Sequence, residues 1–166
     1  MEAAYRAALA CLPGMNVLAL PRFIQLAGGA EELWGLLARG GDRAAALVGA
    51  ERAEAWRDEC RTTRPDALLE ELARRGIKVI APGDATYPPM LAAIYDPPAV
   101  LFARGEVPGR ERPCVAVVGS RKASSYGSLV ARTLGEELAR LGITVVSGAA
   151  YGVDGRAHVG CLRAGG

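Results

Sequence analysis

Two short loops rich in small and polar residues carry the side chains that could bind an anionic ligand. The first begins Gly119-Ser120-Arg121-Lys122 after one apolar run, and the second begins Ser147-Gly148 after another. Small residues allow a phosphate to approach backbone amides, and the N-terminus of a following helix adds partial positive charge. Arginine grips phosphate with a planar fork, and lysine adds a point charge. We therefore predict phosphate binding at these loops.

Hydroxyl and aromatic side chains flank the two loops. Ser124 or Ser125 could cap the helix that follows, or offer a hydroxyl to the phosphate. Tyr126 and Tyr151 could stack on the bases of a single-stranded nucleic acid, whatever its sequence. The alternative for each ring is packing against a helix or loop, and the alternative for Arg121 is a surface ion pair.

Enzymatic chemistry is disfavoured by the residue types at these loops. The segment from Gly119 to Gly127 is neither G-x-G-x-x-G nor the Walker lysine pattern. No carboxylate pair, Ser-His-Asp set or Cys-His pair accompanies it. We predict His158 to be a packed helix residue and expect no catalysis. A Rossmann-like enzyme or sensor for a mononucleotide, using the same loops for one phosphate, remains the alternative, and a purely structural adaptor is a third possibility.

The sequence predicts neither a metal nor a cofactor. Its four cysteines lie singly, without C-x-x-C spacing, and one histidine cannot form a zinc site. We expect four reduced and mostly buried thiols. The apolar runs are of strand length, so we expect no membrane span and a cytoplasmic protein.

The net charge of +2 is distributed unevenly. Residues 1–62 contain seven arginines against eight acids, and residues 63–166 contain thirteen Lys and Arg against ten acids. A modest basic patch is predicted around the first loop. Its six cations are Arg104, Arg110, Arg112, Arg121, Lys122 and Arg132.

The loops require two buried strands and a connecting helix to position them. Val115–Val118 and Ile143–Val146 are apolar runs of strand length, separated by an amphipathic stretch. This order predicts a βαβ unit whose loops leave the same edge of an open sheet, where ligands bind. A last helix is predicted to begin near Asp154, as its N-cap.

Short helices punctuated by glycine precede this unit and predict a small all-helical module over residues 1–62. They are expected at 2–11, 16–27, 30–38 and 42–60, with a break near Gly49, and Pro21 would kink the second or begin a new helix. The turn Leu12-Pro-Gly-Met15 is similar to that of a helix-hairpin-helix, which can hold a DNA phosphate. A module for helical packing or protein contact is the alternative.

The remaining segments predict a sheet with helices on its faces. A connector at 62–65 leads to a helix over 66–75, a strand at 77–80, a brief helix over 87–94 and a strand at 99–103. This order favours one parallel or mixed sheet. The chain stops at the pair Gly165-Gly166, which is early for an open α/β sheet because such a pair usually leads into another strand, so we expect a fragment of a longer chain.

Several motifs in this order resemble the DNA-processing protein A family (DprA, also called Smf). They are Tyr87-Pro-Pro-Met-Leu, Asp96-Pro-Pro, Leu101-Phe-Ala-Arg-Gly105, Val115-Ala-Val-Val-Gly-Ser-Arg121, Ser124-Ser-Tyr-Gly127, Val145-Val-Ser-Gly-Ala-Ala-Tyr-Gly-Val-Asp154 and Ala157-His158. The resemblance covers residues 77–166. The N-terminal helices are similar, more loosely, to that family's sterile-alpha-motif-like (SAM-like) or helix-hairpin-helix module.

The resemblance implies an extended Rossmann-like open sheet over 63–166, and a non-catalytic protein. Its implied activity is sequence-independent binding and protection of single-stranded DNA and loading of a RecA-type recombinase during natural transformation. The full-length protein is implied to be a homodimer. Arg121 matches the arginine of the family's DNA pocket, whereas Tyr151 stands where Lys or Arg is often found. A cation is thus missing at that loop, and stacking on Tyr151 could compensate.

The candidate nucleic-acid-binding residues come from both loops. They are Gly119, Ser120, Arg121, Lys122, Ser124, Tyr126, Gly127, Ser147, Gly148, Tyr151 and Gly152.

Overall fold

A computed structural model describes residues 1–109 and 111–166. These form two compact units, Met1–Val107 and Pro108–Gly166. Arg110, one cation of the predicted basic patch, lies outside the described residues. Within the described part of the chain, no helix is both long and apolar enough to cross a membrane.

The first unit begins with helices, and glycines of the sequence lie between several of them. They are α1 (Glu2–Ala10), α2 (Leu20–Ala27), α3 (Ala30–Arg39), α4 (Asp42–Val48), α5 (Ala50–Thr62) and α6 (Pro65–Arg74). The predicted break at Gly49 is confirmed. The predicted start of the second helix at residue 16 is wrong, because the side chain of Asn16 accepts a hydrogen bond from the amide of Leu18 and holds a turn. Pro21 instead lies in the first turn of α2, where its missing N–H costs nothing.

A helical core fills the first unit. Its largest fully buried side chains are Trp56, Leu9, Leu20, Leu33 and Leu37. The indole Nε1 of Trp56 donates a hydrogen bond to the carbonyl of Pro13 over 2.7 Å, so the turn after α1 is held against α5. Since α2 begins only at Leu20, this turn does not lead directly into a helix N-terminus. The geometry favours the packing alternative for this module, and DNA contact by it stays a prediction.

Two short strands and a one-turn helix complete the first unit. β1 (Ile77–Ile80) and β2 (Leu101–Arg104) pair antiparallel, with Ile77 opposite Arg104, and α7 (Pro89–Ala92) lies between them in the chain. The division predicted at residue 62 falls inside this unit, where α1 packs against α6 and β1. That division stays a prediction.

The second unit contains the predicted βαβ arrangement, but the prediction that both strands are buried is wrong, because all three residues of the first strand are exposed. β3 (Cys114–Ala116) and β4 (Thr144–Val146) are parallel, with Val115 opposite Val145, and α8 (Ser125–Arg140) connects them. α9 (Val153–Arg163) follows β4. The buried core is formed by Val117, Leu138, Val145, Ala157 and Cys161.

Two glycines bring α8 and α9 into close contact. A Cβ atom on Gly135 of α8 would overlap the carbonyl of Ala157, and one on Gly160 of α9 would overlap the carbonyl of Arg132. The two backbones therefore pack directly against each other. This contact fixes the position of α9, whose N-terminus borders the loop after β4.

The α/β class is confirmed, but one prediction about the sheet is wrong. In the described residues, the strands form two separate pairs rather than one parallel or mixed sheet. β2 pairs antiparallel with β1, and residues 81–100 connect the two strands.

The expectation of mostly buried thiols is also wrong. Cys60 and Cys161 are buried, but Cys11 and Cys114 are exposed. Cys11 follows the last turn of α1, and Cys114 opens β3, all three residues of which are exposed. Burial, with a smaller contribution from the Glu59 carboxylate, raises the pKa of Cys60 to about 12.

Candidate nucleic-acid interface

The two predicted loops leave the same edge of the parallel pair in the second unit. The amide of Val117, just after β3, donates to the carbonyl of Val146 at the end of β4, over 3.0 Å. The chains separate from this point into the loop 117–124 and the loop 147–152. The edge predicted from the strand ends is therefore present.

Gly152 brings the two loops into backbone contact. A Cβ atom at this position would overlap the carbonyl oxygen of Ser120, and the φ angle of +88° is one that side-chain-bearing residues rarely adopt. The next amide, that of Val153, donates to the same carbonyl oxygen over 3.1 Å. The backbone alone thus holds the loops together, and only glycine fits at residue 152.

Asp154 forms a second connection between the loops. Its carboxylate is buried, and its Oδ1 accepts a hydrogen bond from the amide of Gly119 over 3.2 Å. The prediction that Asp154 caps α9 is wrong, because α9 begins at Val153 with Gly152 as its N-cap. Asp154 lies in the first turn, where the glycine before Val153 allows the helix to start one residue earlier.

The pKa of Asp154 lies below its ordinary value. Burial of the carboxyl acts to raise the pKa, but hydrogen bonds from Ser147 and from the amides of Gly119, Ala150 and Asp154 itself outweigh burial. The buried Ser147 hydroxyl lies close enough to the carboxylate to lower its pKa, although it makes no hydrogen bond of ordinary geometry.

The serines of the first loop are engaged in local hydrogen bonds. Ser124 is the N-cap of α8, and its Oγ accepts from the amide of Gly127 over 3.1 Å, which confirms one of the two predicted caps. Ser120 Oγ accepts from the amide of Lys122 over 3.1 Å. These bonds shape the loop and leave the cationic side chains to face solvent.

An open groove of about 640 Å³ lies between the loops and the first two turns of α9, and we call it the interloop groove. Residues from both loops and from α9 line it, among them Arg121, Gly148, Tyr151, Gly152, Arg156 and Val159. Tyr151 is 88% exposed, so its ring is not packed against the fold. Among residues 1–109 and 111–166, Arg121 forms no ion pair with a carboxylate. In the described residues, the Tyr151 ring is not packed and Arg121 is not ion-paired, so neither alternative fits the structure.

Several other candidate residues do not line the groove. Tyr126 is 77% exposed in the first turn of α8 but does not line the groove. Lys122 is exposed next to Arg121. Of the predicted basic patch, Arg104 donates to the carbonyl of Arg75, and Arg132 pairs with Glu136. The basic character of the described site therefore centres on fewer side chains than the sequence suggested.

Arg156 and Val159 were missed from the sequence. Both lie on α9 and line the interloop groove. Gly152, Arg156 and Val159 are spaced by four and three residues, which places them on one face of a helix. That spacing is the signal that could have identified Arg156, once the start of α9 was assigned to Val153.

Comparison with known proteins finds a family model and several relatives that match this chain. The model of the family described as DNA recombination-mediator protein A matches residues 78–166. The DNA processing protein DprA of Bacillus subtilis is 39% identical over 101 residues, which are 58% of this chain and 33% of that protein. Protein Smf of Escherichia coli is 43% identical over 88 residues, 52% of this chain and 24% of that protein.

A solved structure resembles almost the whole chain. The X-ray structure of DNA processing protein A from Streptococcus pneumoniae matches with a TM-score of 0.65 and 26% identity, over 98% of this chain and 55% of that one. The chain thus spans about a quarter to a third of the two curated relatives and about half of the solved chain.

Proposed function

Since the chain belongs to the DNA recombination-mediator protein A family, we propose that its second unit binds single-stranded DNA without regard to base sequence, through the interloop groove. The observation that carries this proposal is the shared position of Arg121 and Tyr151 on that groove. An exposed guanidinium can bind a phosphate, and an exposed phenol ring can stack on a base of any identity. Together they recognise a phosphate and a base, which every single strand contains.

The wider role is part of the same proposal, and the relatives' names support it. Three relatives are named as DNA processing protein or Smf, and the family as a recombination mediator. We propose that the whole protein protects single-stranded DNA and delivers it to a RecA-type recombinase in recombination or transformation, as a homodimer in the cytoplasm and without catalysis. The parallel pair β3–β4 with α8 supports a Rossmann-like open sheet, and the helices α1–α5 support a SAM-like module.

The experiment that tests DNA binding compares two arginine substitutions in the full chain. Arg121→Ala removes the groove guanidinium, and Arg163→Ala removes an exposed arginine at the far end of α9. Loss of one charge-assisted hydrogen bond to phosphate should weaken binding of a labelled single-stranded oligonucleotide about tenfold, whereas the control should bind normally. Fluorescence anisotropy at several salt concentrations gives both affinities. Equal affinities for the two variants would exclude this site.

A further inference from the structure

Arg156 places a second cation on the groove that holds Arg121. It lies in the first turn of α9, is exposed, and lines the interloop groove together with Val159 one turn later. Like Arg121, it forms no ion pair with a carboxylate in the described part of the chain. Two guanidinium groups therefore come to one groove from two different elements, the loop after β3 and the helix after β4.

The acids of the second unit do not neutralise these cations. Residues 108–166 contain eight Lys and Arg against four Asp and Glu. Glu136 and Glu137 pair with arginines of α8, and Asp154 is buried in hydrogen bonds to the loops. None of these three carboxylates pairs with Arg121 or Arg156, and the excess of cations gives the second unit a positive net charge.

The backbone amides at the start of α9 are already occupied. The amides of Val153, Gly155 and Arg156 donate to the carbonyls of Ser120, Ala150 and Gly152. The amide of Asp154 faces its own carboxylate. A phosphate in the groove therefore finds no free amide among residues 153–156, and we expect side chains to bind it. This arrangement is unlike the phosphate cradle of a mononucleotide site, which depends on free amides.

We propose that Arg121 and Arg156 bind two successive phosphates of one strand, while Tyr151 and Val159 contact a base of that strand. The inference rests on the proposed function and specifies its ligand as a segment of one strand with two phosphates and one stacked base. Two guanidinium forks provide more donors than one phosphate needs, and they come from separate elements. Arg156 supplies the positive charge that Tyr151 does not.

The first arm of the test measures dependence on ligand length in the full chain. The probes are thymidine monophosphate and 5′-phosphorylated oligothymidylates of two to six residues, titrated by calorimetry. We expect affinity to rise about tenfold from one phosphate to two in the natural chain. Arg156→Gln should abolish this rise, and Arg163→Gln, on the same helix, should retain it. Arg156 is exposed, so circular dichroism and thermal unfolding of the variant should match those of the natural chain.

The second arm measures the salt dependence of binding to a longer oligothymidylate. Removing one arginine that neutralises a phosphate should lower the magnitude of the slope of log K against log salt by about 0.7 for a single strand. Arg156→Gln should show this decrease, and adding Tyr151→Lys to that variant should restore the slope by returning a cation to the groove.

The outcomes separate this inference from the function on which it rests. An Arg156→Gln chain with natural length dependence and slope, alongside weakened Arg121→Ala, would overturn the two-phosphate site and keep single-strand binding. Monophosphate binding as tight as dinucleotide binding would overturn the inference in favour of a mononucleotide site. Failure of the natural chain to bind any oligothymidylate would overturn the proposed function itself.

Discussion

The backbone amide of Gly119 donates a hydrogen bond to Oδ1 of Asp154 over 3.2 Å, and this bond joins the loop after β3 to the first turn of α9. Asp154 is the one buried charged side chain in the described core, and its hydrogen bonds hold the two loops together. The interloop groove exists because these loops stay in contact. The stability of that contact can be tested through Asp154 and through the glycines around it.

Low pH should lower the stability of the second unit, because Asp154 becomes protonated. Because the folded-state pKa of this carboxyl is below its ordinary value, its stabilisation is complete above the unfolded value of about 3.9 and is lost as pH falls through the lower folded value. Asp154→Asn should reduce stability at neutral pH and flatten the acid dependence. Urea unfolding from neutrality to about pH 3 measures both effects, with the Gly119 amide resonance as a local reporter. Asp58→Asn, exposed on α5, is the control, and an equal change in both variants would contradict the assignment.

Gly152→Ala should separate the two loops. At this residue a Cβ atom meets the carbonyl of Ser120 and must also adopt φ of +88°. Gly142→Ala is a matched control, because Gly142 has a φ of +70° but open space around it. The control should cost about 1 to 2 kcal/mol for the left-handed backbone alone, and Gly152→Ala should cost more and also weaken oligonucleotide binding. Chemical denaturation and anisotropy measure the two effects; equal losses of stability with intact binding would show that the close contact is not required.

Gly135→Ala should destabilise the second unit, although alanine usually favours a helix. The added methyl group would overlap the carbonyl of Ala157 across the α8–α9 contact, and overpacking of this kind costs about 1 to 3 kcal/mol. Gly127→Ala in the same helix meets only ordinary contacts, so it should be neutral or stabilising by up to about 1 kcal/mol. Thermal unfolding of the two variants should therefore move in different directions. A stabilised Gly135→Ala chain would show that α8 and α9 are further apart than described.

Exposed and buried thiols of the chain should differ in their reactivity. Cys114 is exposed, and Cys60 is buried with a pKa raised to about 12, so almost none of it is thiolate in mildly alkaline buffer. Iodoacetamide should modify Cys114 early in the native chain and Cys60 only after unfolding. Cys11 is also exposed, but burial of its sulfur raises its pKa, which should make it slower than Cys114. Peptide mass spectrometry over a time course gives the order, and early labelling of Cys60 would contradict the described core.

The sequence predicted the positions of the two loops more successfully than it predicted the sheet. Strand-length apolar runs that end in small residues identify both loops, because parallel strands joined by a helix place their ends at one edge. Arg121 and Tyr151 follow directly from that pattern. Arg156 did not, because its place on the groove depends on which residue starts α9, and Gly152 shifts that start by one residue.

The arrangement of the strands depends on information that hydrophobic periodicity does not contain. The runs at β1 and β2 have the right composition for strands, but their relative direction is decided by how residues 81–100 return the chain. Similarly, Asn16 is compatible with a helix until its side chain bonds to the amide of Leu18. Local side-chain hydrogen bonds of this kind explain why predicted helix ends differ from the observed ones.

The backbone contact at Gly152 and Ser120 has an evolutionary consequence. Because the loops are joined by main-chain atoms and by Asp154, the exposed side chains around the groove do not hold the loops together. Tyr151 or Arg156 can therefore be replaced during evolution while the contact between the two loops stays the same. In an alignment of relatives, residues at positions 119, 152 and 154 should stay nearly constant, while positive charge should move between positions 151 and 156, present at one when it is absent from the other.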